Sequence, residues 1–155
     1  MRLAGWNYSM PGAYFVTICT YQREPVLACG AVADVVRREW FAIPTRFPSV
    51  ELDEFVVMPN HLHGIIVISF TGAVGAQQAG APTGGPTLGK IMRAFKSLSA
   101  IEANRALGRA QRPFWQRNYW EHVVRDDDDL NRVRQYIIDN PVKWAEDPEN
   151  PANLT

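Results

Sequence analysis

Apolar residues recur along the chain with two periods, one typical of strands and the other typical of helices. Residues 13–20 and 50–57 are rich in β-branched and aromatic side chains, which predicts two strands. Residues 30–47 lie between them and have apolar side chains at every third or fourth position, which predicts a helix. Residues 58–60 form a turn, because a proline there would interrupt pairing inside a strand, and residues 61–70 are the returning third strand.

The second half of the chain adds one strand and two helices to this pattern. Residues 71–86 lack periodicity and are rich in Gly, Ala and Gln, so we expect a flexible loop. The pattern then predicts a helix at 87–107, an aromatic-rich strand at 114–125 and a last helix at 126–140. The order β-α-β-β-α-β-α predicts an α+β fold with a mainly antiparallel sheet and helices on one face.

Length and composition limit the class of protein. A chain of 155 residues is long enough for one domain with a real core, and we expect one domain over residues 1–155. No apolar run reaches the length of a transmembrane helix, and the first residues lack the hydrophobic core of a signal peptide. Two cysteines without a disulfide framework suit a reducing compartment, so we expect a cytoplasmic protein without membrane association.

Two of the three histidines lie one residue apart, at His61 and His63. Since alternate residues of a strand point to the same face, the two imidazoles would lie side by side while Leu62 faces the core. Two neutral imidazoles on one face are the beginning of a divalent-metal site, although a surface pair or two separately hydrogen-bonded histidines fit the pattern too. Cys19 and Cys29 lack the spacing of a structural zinc site, which favours an open site for a hard cation.

Basic residues are concentrated in one part of a chain whose formal net charge is zero. Residues 90–125 contain eight basic and two acidic side chains, so this segment is either a phosphate-binding surface or an ordinary solvated helix face. Aromatic residues lie among its arginines, and such a mixture either stacks unpaired bases or packs the core of the sheet. The candidate DNA-binding residues are Lys90, Arg93, Lys96, Trp115, Arg117, Tyr119 and Arg125.

The last predicted helix carries a second pair of candidate residues. Leu130, Val133 and Ile137 form its buried stripe, and Tyr136 lies about 90° from that stripe. Asn140 follows four residues later on the same flank, so a phenol and an amide oxygen are presented together at the edge of the core. The same positions are also consistent with a packing tyrosine and with an asparagine that caps the helix before a proline.

Three blocks of sequence, in this order, resemble the REP-associated tyrosine transposases, a branch of the single-tyrosine HUH-type transposases. They are VMPNHLHG at 57–64, FWQRNYWEHVVR at 114–125 and YIIDNPVK at 136–143. The resemblance extends over most of the chain, from about residue 14 to residue 143. It implies a ferredoxin-like sheet and a metal-dependent endonuclease that acts on single-stranded DNA, with hairpin DNA as the expected target.

The resemblance also implies a role for individual residues. Tyr136 matches the nucleophile of the family, which forms a 5′-phosphotyrosine intermediate and leaves a free 3′-OH. His61, His63 and Asn140 match the ligands of its divalent metal, Mg²⁺ or Mn²⁺. We expect His122 to have a structural or supporting role rather than to bind metal.

Two other functions remain open from the sequence. One is a module of the same fold that binds hairpin or single-stranded DNA without cutting it, and the other is a metal-dependent phosphoesterase acting on small nucleotides. The second would not need an aromatic and basic strand. Because no long linker separates the fourth strand from the last helix, we expect a monomer rather than a homodimer.

Overall fold

The computed structural model describes residues 12–69, 86–143 and 146. Its four strands are β1 (Gly12–Cys19), β2 (Val50–Met58), β3 (His61–Ile68) and β4 (Trp120–Val124). They form one sheet in the spatial order β2-β3-β1-β4, and every neighbouring pair is antiparallel. This is a ferredoxin-like arrangement, so the predicted fold class is confirmed.

The helices are α1 (Gly30–Phe41), α2 (Ile43–Arg46), α3 (Leu88–Ala106) and α4 (Asp127–Lys143). The single helix predicted at 30–47 is therefore two helices, because the chain turns at Ala42 and restarts with a proline in the first turn of α2. Thr87 caps α3, since its side chain accepts a hydrogen bond of 3.1 Å from the amide of Lys90.

One face of the sheet and the helices α1 and α3 enclose the main hydrophobic core. Tyr14, Val16 and Ile18 of β1 alternate into this core, as the period of a strand requires. Trp40 of α1 is fully buried there, stacked on Phe55 with ring centroids 4.7 Å apart. The predicted packing of helices on one face is correct for α1 and α3.

The last helix differs from the prediction, because α4 covers the opposite face of the sheet. Phe15 and Ile65 point to that face and form a second, smaller core with Val133 and Ile137 of α4. The central strands are thus apolar on both sides, and the second apolar face needs a cover of its own. The site described below lies on this second face.

The fourth strand is also shorter than predicted. It begins at Trp120 rather than at residue 114, and the preceding segment runs beside the end of β1 without forming a regular ladder. Only an isolated bridge joins Thr20 to Trp115, with hydrogen bonds from the Gln116 amide to the Cys19 carbonyl and from the Tyr21 amide to the Phe114 carbonyl.

The predicted flexible loop at 71–86 lies outside the described residues, except for Pro86. None of the helices in the described part of the chain is both long enough and apolar enough to cross a membrane.

Gly64 allows α1 to pack directly on the sheet beside the histidine pair. A Cβ at this position would lie 2.7 Å from Cη2 of the buried Trp40 ring, so one of the two must move. We expect Gly64→Ala to lower the free energy of unfolding by about 1–3 kcal/mol, measured by urea denaturation. Gly30→Ala is the control, because a Cβ there meets no atom within 4 Å. Equal stability of the two variants would contradict this account of the packing.

Candidate active site

The two histidines of β3 share the second face of the sheet, as the alternation of a strand predicts. Their ring centroids lie 4.7 Å apart, while Leu62 between them is fully buried in the main core. Both imidazoles are nearly inaccessible: His61 is fully buried and His63 is 4% exposed. The pair is therefore more enclosed than the open site expected from the sequence.

Hydrogen bonds fix the orientation of both rings. Nδ1 of His61 lies 2.8 Å from Oδ1 of Asn60, and because an amide oxygen only accepts, Nδ1 donates and Nε2 carries the lone pair. Nδ1 of His63 lies 2.8 Å from the hydroxyl of Thr17 on the neighbouring strand β1. Its Nε2 is buried and has no hydrogen-bond partner among the described residues. Each ring thus has one nitrogen held by a supporting side chain.

Burial keeps His63 neutral. Burial, together with the neighbouring His61, lowers the pKa of His63 to about 3. Burial disfavours the charged imidazolium, and a second imidazolium 4.7 Å away would repel it. His63 is therefore a neutral imidazole at neutral pH, the form that can bind a metal ion.

Tyr136 lies against His63 of this pair. Its ring centroid is 5.2 Å from that of His63 and 5.9 Å from that of Phe15, in edge-to-face contacts. Val133 and Ile137 hold the helix on the sheet, and the tyrosine beside them keeps 51% of its surface exposed. The structure thus brings together Tyr136 and His63, which are separated by 73 residues in the sequence.

Asn140 continues the sheet-facing side of α4. It is 4% exposed, and its Oδ1 has no hydrogen-bond partner within the described residues. Four helical residues advance about 6 Å, close to the roughly 6.6 Å that separate alternate residues of a strand. Asn140 is therefore buried about one turn of α4 beyond Tyr136, a step that matches the spacing of the two histidines along β3.

Two polar contacts fasten α4 to the sheet on either side of the tyrosine. Arg134 forms a bidentate ion pair with Asp53 of β2, with distances of 2.8 and 2.6 Å. Nε2 of His122 on β4 lies 2.8 Å from Oδ2 of Asp129 in the first turn of α4. His122 thus bonds to the helix rather than lying with the histidine pair.

The ion pair with Arg134 gives a prediction about pH. A hydrogen bond from Arg134 lowers the pKa of Asp53, so this carboxylate stabilises the fold above its usual pKa of about 4, and the contribution is lost as the pH falls below that value. We expect Asp53→Asn to make the unfolding midpoint less sensitive to acidification from pH 6 to pH 3, measured by thermal denaturation. Glu51→Gln, at an exposed position on the same strand, should retain the sensitivity of the parent protein.

An open cavity of about 480 Å³ lies beside Tyr136 and His63. Its wall is formed by β1, by the segment before β4 and by Arg23. Next to β1, the wall consists of the polar and aromatic side chains of this segment and of the first residue of β4, namely Gln116, Asn118, Tyr119 and Trp120. A chain of unpaired nucleotides could thus reach the tyrosine from this side.

The candidate DNA-binding residues are not all at this cavity. Lys90 and Arg93 are exposed on α3, and Arg117 and Arg125 are exposed on either side of β4. Lys96 donates to the carbonyls of Gln116 and Arg117 at 2.7 and 2.9 Å, so it supports the segment that lines the cavity. Tyr119 is the one candidate DNA-binding residue that lines it.

Trp115 lies in the main core instead. It is 6% exposed, and its Nε1 donates to the hydroxyl of Ser99 on α3 at 2.9 Å. A ring in this position cannot stack on a base. The strand predicted at 114–125 does not include Trp115, because residues 114–119 precede the regular part of β4, so strand alternation does not determine the direction of its ring.

Comparisons with known proteins agree with this fold. No protein-family model matches the chain. An uncharacterized Haemophilus influenzae protein is 34% identical to it over 165 aligned positions, covering 95% of this chain and 89% of that protein. The chain belongs to the same family as this protein. A second Haemophilus influenzae protein, provisionally named a REP-associated tyrosine transposase, is 59% identical over 29 residues, which cover 19% of this chain and 16% of that protein.

Two solved structures share the fold. One is a REP-associated tyrosine transposase bound to a REP hairpin, with a TM-score of 0.62 and 22% identity, covering 93% of this chain and 74% of that chain. The other is provisionally named a transposase, from Deinococcus radiodurans, with a TM-score of 0.52 and 18% identity, covering 90% and 96% of the two chains. The resemblance to REP-associated tyrosine transposases seen in the sequence is confirmed.

The donor atoms at the site fit a divalent cation. Among the described residues, no group of three or more His, Cys, Asp or Glu side chains could hold a metal. Asn140 offers a buried amide oxygen, and His63 offers a buried ring nitrogen, both lacking hydrogen-bond partners among the described residues. The amide oxygen is a ligand that suits Mg²⁺ and Mn²⁺, whereas imidazole favours divalent transition metals, so the mixed set fits a divalent ion that accepts both kinds of donor.

Sequence reasoning missed two residues that shape this site. Thr17 and Asn60 orient the two imidazoles. Asn60 could have been identified, because it immediately precedes the histidine pair in the turn. Thr17 could not, because its contact depends on the register of β1 against β3.

Proposed function

We propose that this protein is a transposase-like enzyme that cuts and rejoins single-stranded DNA with Tyr136 as its nucleophile. The observation that carries the proposal is the position of Tyr136, half exposed at the cavity and in ring contact with His63 of the buried pair. A packing tyrosine would bury its ring rather than present it to an open cavity. The fold shared with transposases supports the same conclusion.

His61, His63 and Asn140 would hold the divalent cation. When bound, the cation supplies positive charge to the scissile phosphate and orients it for in-line attack. Thr17 and Asn60 keep the two rings in place, and the low pKa of His63 keeps its imidazole neutral. A low pKa at this position is consistent with a ligand that needs no deprotonation at neutral pH.

Tyr136 then performs the covalent step. Its phenolic oxygen forms a bond to phosphorus while the bond from phosphorus to the 3′-oxygen breaks, which gives a 5′-phosphotyrosine and a free 3′-OH. The phenol loses one proton and the 3′-oxygen gains one, so water at the exposed ring can carry the proton between them. Because the phosphodiester energy is kept in the intermediate, the 3′-OH of another strand can reverse the step and join the ends.

The proposed substrate is single-stranded DNA, presented beside a hairpin. The cavity next to Tyr136 is lined by polar and aromatic groups that suit unpaired bases. Exposed Lys90, Arg93, Arg117 and Arg125 add positive charge around the fold. The structurally similar REP-associated transposase is bound to a REP hairpin, which supports hairpin DNA as the class of ligand to test.

We further propose that the enzyme acts as a cytoplasmic monomer. Tyr136 contacts His63 of its own chain, so the nucleophile and the ligand pair need no second subunit. Light scattering with and without hairpin DNA tests this proposal, and a DNA-bound dimer would contradict it.

A gel assay separates the candidate activities. The full chain is incubated with Mn²⁺ and labelled hairpins that carry single-stranded tails. A covalent protein–DNA adduct supports the proposed enzyme, whereas a mobility shift without an adduct indicates the non-cleaving binding module. Hydrolysis of a small phosphodiester substrate, without an adduct and without a mobility shift, indicates the phosphoesterase.

A further inference from the structure

The cavity beside Tyr136 does not end at the tyrosine. A second cavity of about 540 Å³ lies on its other side, and both cavities are lined by Phe15, Trp120 and Tyr136. The two cavities therefore adjoin at these three aromatic residues and form one groove along the edge of the sheet. The tyrosine lies near the middle of this groove, so a strand that reaches it from one side can continue past it on the other.

Trp120 is the exposed ring at this junction. It lies on the edge strand β4 and keeps 53% of its surface accessible. It pairs in register with Thr17, the residue that bonds to His63, so its position along the groove is fixed next to the histidine pair. An indole exposed beside a polar cavity has a flat face on which an unpaired base can stack.

Two arginines, Arg125 and Arg132, line the second cavity and are exposed. Two carboxylates line it as well, and of these Glu121 is 3% exposed. The guanidinium of Arg125 makes no hydrogen bond or ion pair in the described part of the chain, and Arg132 has only a long contact of 3.9 Å to Asp129. Oδ2 of Asp129 accepts hydrogen bonds from the ring of His122 and from the amide of Arg125. These hydrogen bonds reduce the repulsion between this carboxylate and an anion.

We propose that this groove is a nucleotide subsite adjoining the scissile phosphate, in which Trp120 stacks one unpaired base and Arg125 and Arg132 bind the phosphates that follow. The inference rests on the proposed function, because it takes Tyr136 as the point of cleavage. It adds a specific path for the strand: from the cavity lined by Arg23, across Trp120 and Tyr136, to the start of α4. Stacking accepts any base, so this subsite contributes affinity rather than sequence choice.

The test uses two probes that differ only in their bases, the oligothymidylate dT20 and an abasic phosphodiester strand of the same length. All proteins carry Tyr136→Phe to prevent cleavage, and affinities are measured by fluorescence anisotropy. We expect Trp120→Ala to weaken dT20 binding about tenfold and to leave the abasic probe unaffected. Trp120→Phe should restore most of the loss. Phe41→Ala removes an exposed aromatic ring on the opposite side of the molecule and serves as the matched control.

The contribution of Arg125 and Arg132 is measured separately, from the salt dependence of binding. Replacing Arg125 and Arg132 together with Ala should weaken both probes and reduce the slope of log K against log salt by about 1.4, since each phosphate contact with a single strand contributes about 0.7. Unchanged dT20 affinity in Trp120→Ala, or no binding of dT20 by the parent, overturns the inference. If Tyr136 still forms a covalent adduct in that case, the proposed function stands and only the subsite is wrong.

Discussion

Tyr136→Phe is expected to abolish formation of the covalent adduct while hairpin DNA and Mn²⁺ still bind. Phenylalanine keeps the ring that contacts His63 and Phe15, so the packing of α4 is retained. Only the nucleophilic oxygen is lost, and no residual route to a phosphotyrosine remains. The measurement is a denaturing gel of labelled DNA after incubation, with at least a thousandfold loss of adduct expected when a covalent nucleophile is removed.

Tyr119→Phe is the matched control. This tyrosine lines the same cavity but lies half-buried, with Lys96 over its ring at 5.8 Å. It should retain the adduct. Peptide mapping of the trapped intermediate provides an independent check, and a phosphotyrosine at any position other than 136 would overturn the assigned mechanism.

Replacement of both His61 and His63 is the second large effect. We expect the double variant to lose measurable Mn²⁺ binding in calorimetry and to lower cleavage by orders of magnitude, because two of three proposed protein ligands disappear. Since both rings are buried, alanine also leaves cavities that cost stability. His63→Gln is therefore measured in parallel, as it keeps a neutral polar side chain of similar size.

His122→Gln serves as the control for the histidine pair. Its imidazole bonds to Asp129 at the start of α4 and lies outside the proposed ligand set. Metal affinity should remain at the parental value in this variant. Parental Mn²⁺ affinity in the His61 and His63 double variant would remove the basis for the metal assignment.

The strand period was sufficient to predict the shared face of His61 and His63, because alternation depends only on neighbouring residues. The same argument did not extend to Trp115, because residues 114–119 run beside β1 without forming a regular ladder. Side chains alternate between the two faces of a sheet only within a regular ladder. The alternation of side chains therefore predicted the facing of residues inside regular strands, and it gave the wrong facing just outside them.

The position of α4 required information that no local pattern contains. The sequence correctly predicted the apolar stripe with Val133 and Ile137. The periodicity of a helix does not determine on which face of the sheet the helix packs. Phe15 and Ile65 decide this, because α1 and α3 already occupy the other side. The contact between Tyr136 and His63 follows from that choice, so the pairing was available from family resemblance and not from periodicity.

The two cores of the protein differ greatly in size, and the difference separates the parts of the proposed machinery. The histidine pair belongs to a sheet that is anchored by the large core. By contrast, α4 packs on the small second core and its half-buried apolar neighbours, and it makes polar contacts with Asp53 and His122. A helix held in this way can open locally at a lower free energy than the whole domain needs to unfold. Local opening of α4 would therefore move Tyr136, the proposed nucleophile, away from the histidines while the sheet remains intact. On the mechanism proposed above, such an excursion would let one DNA end leave and another enter.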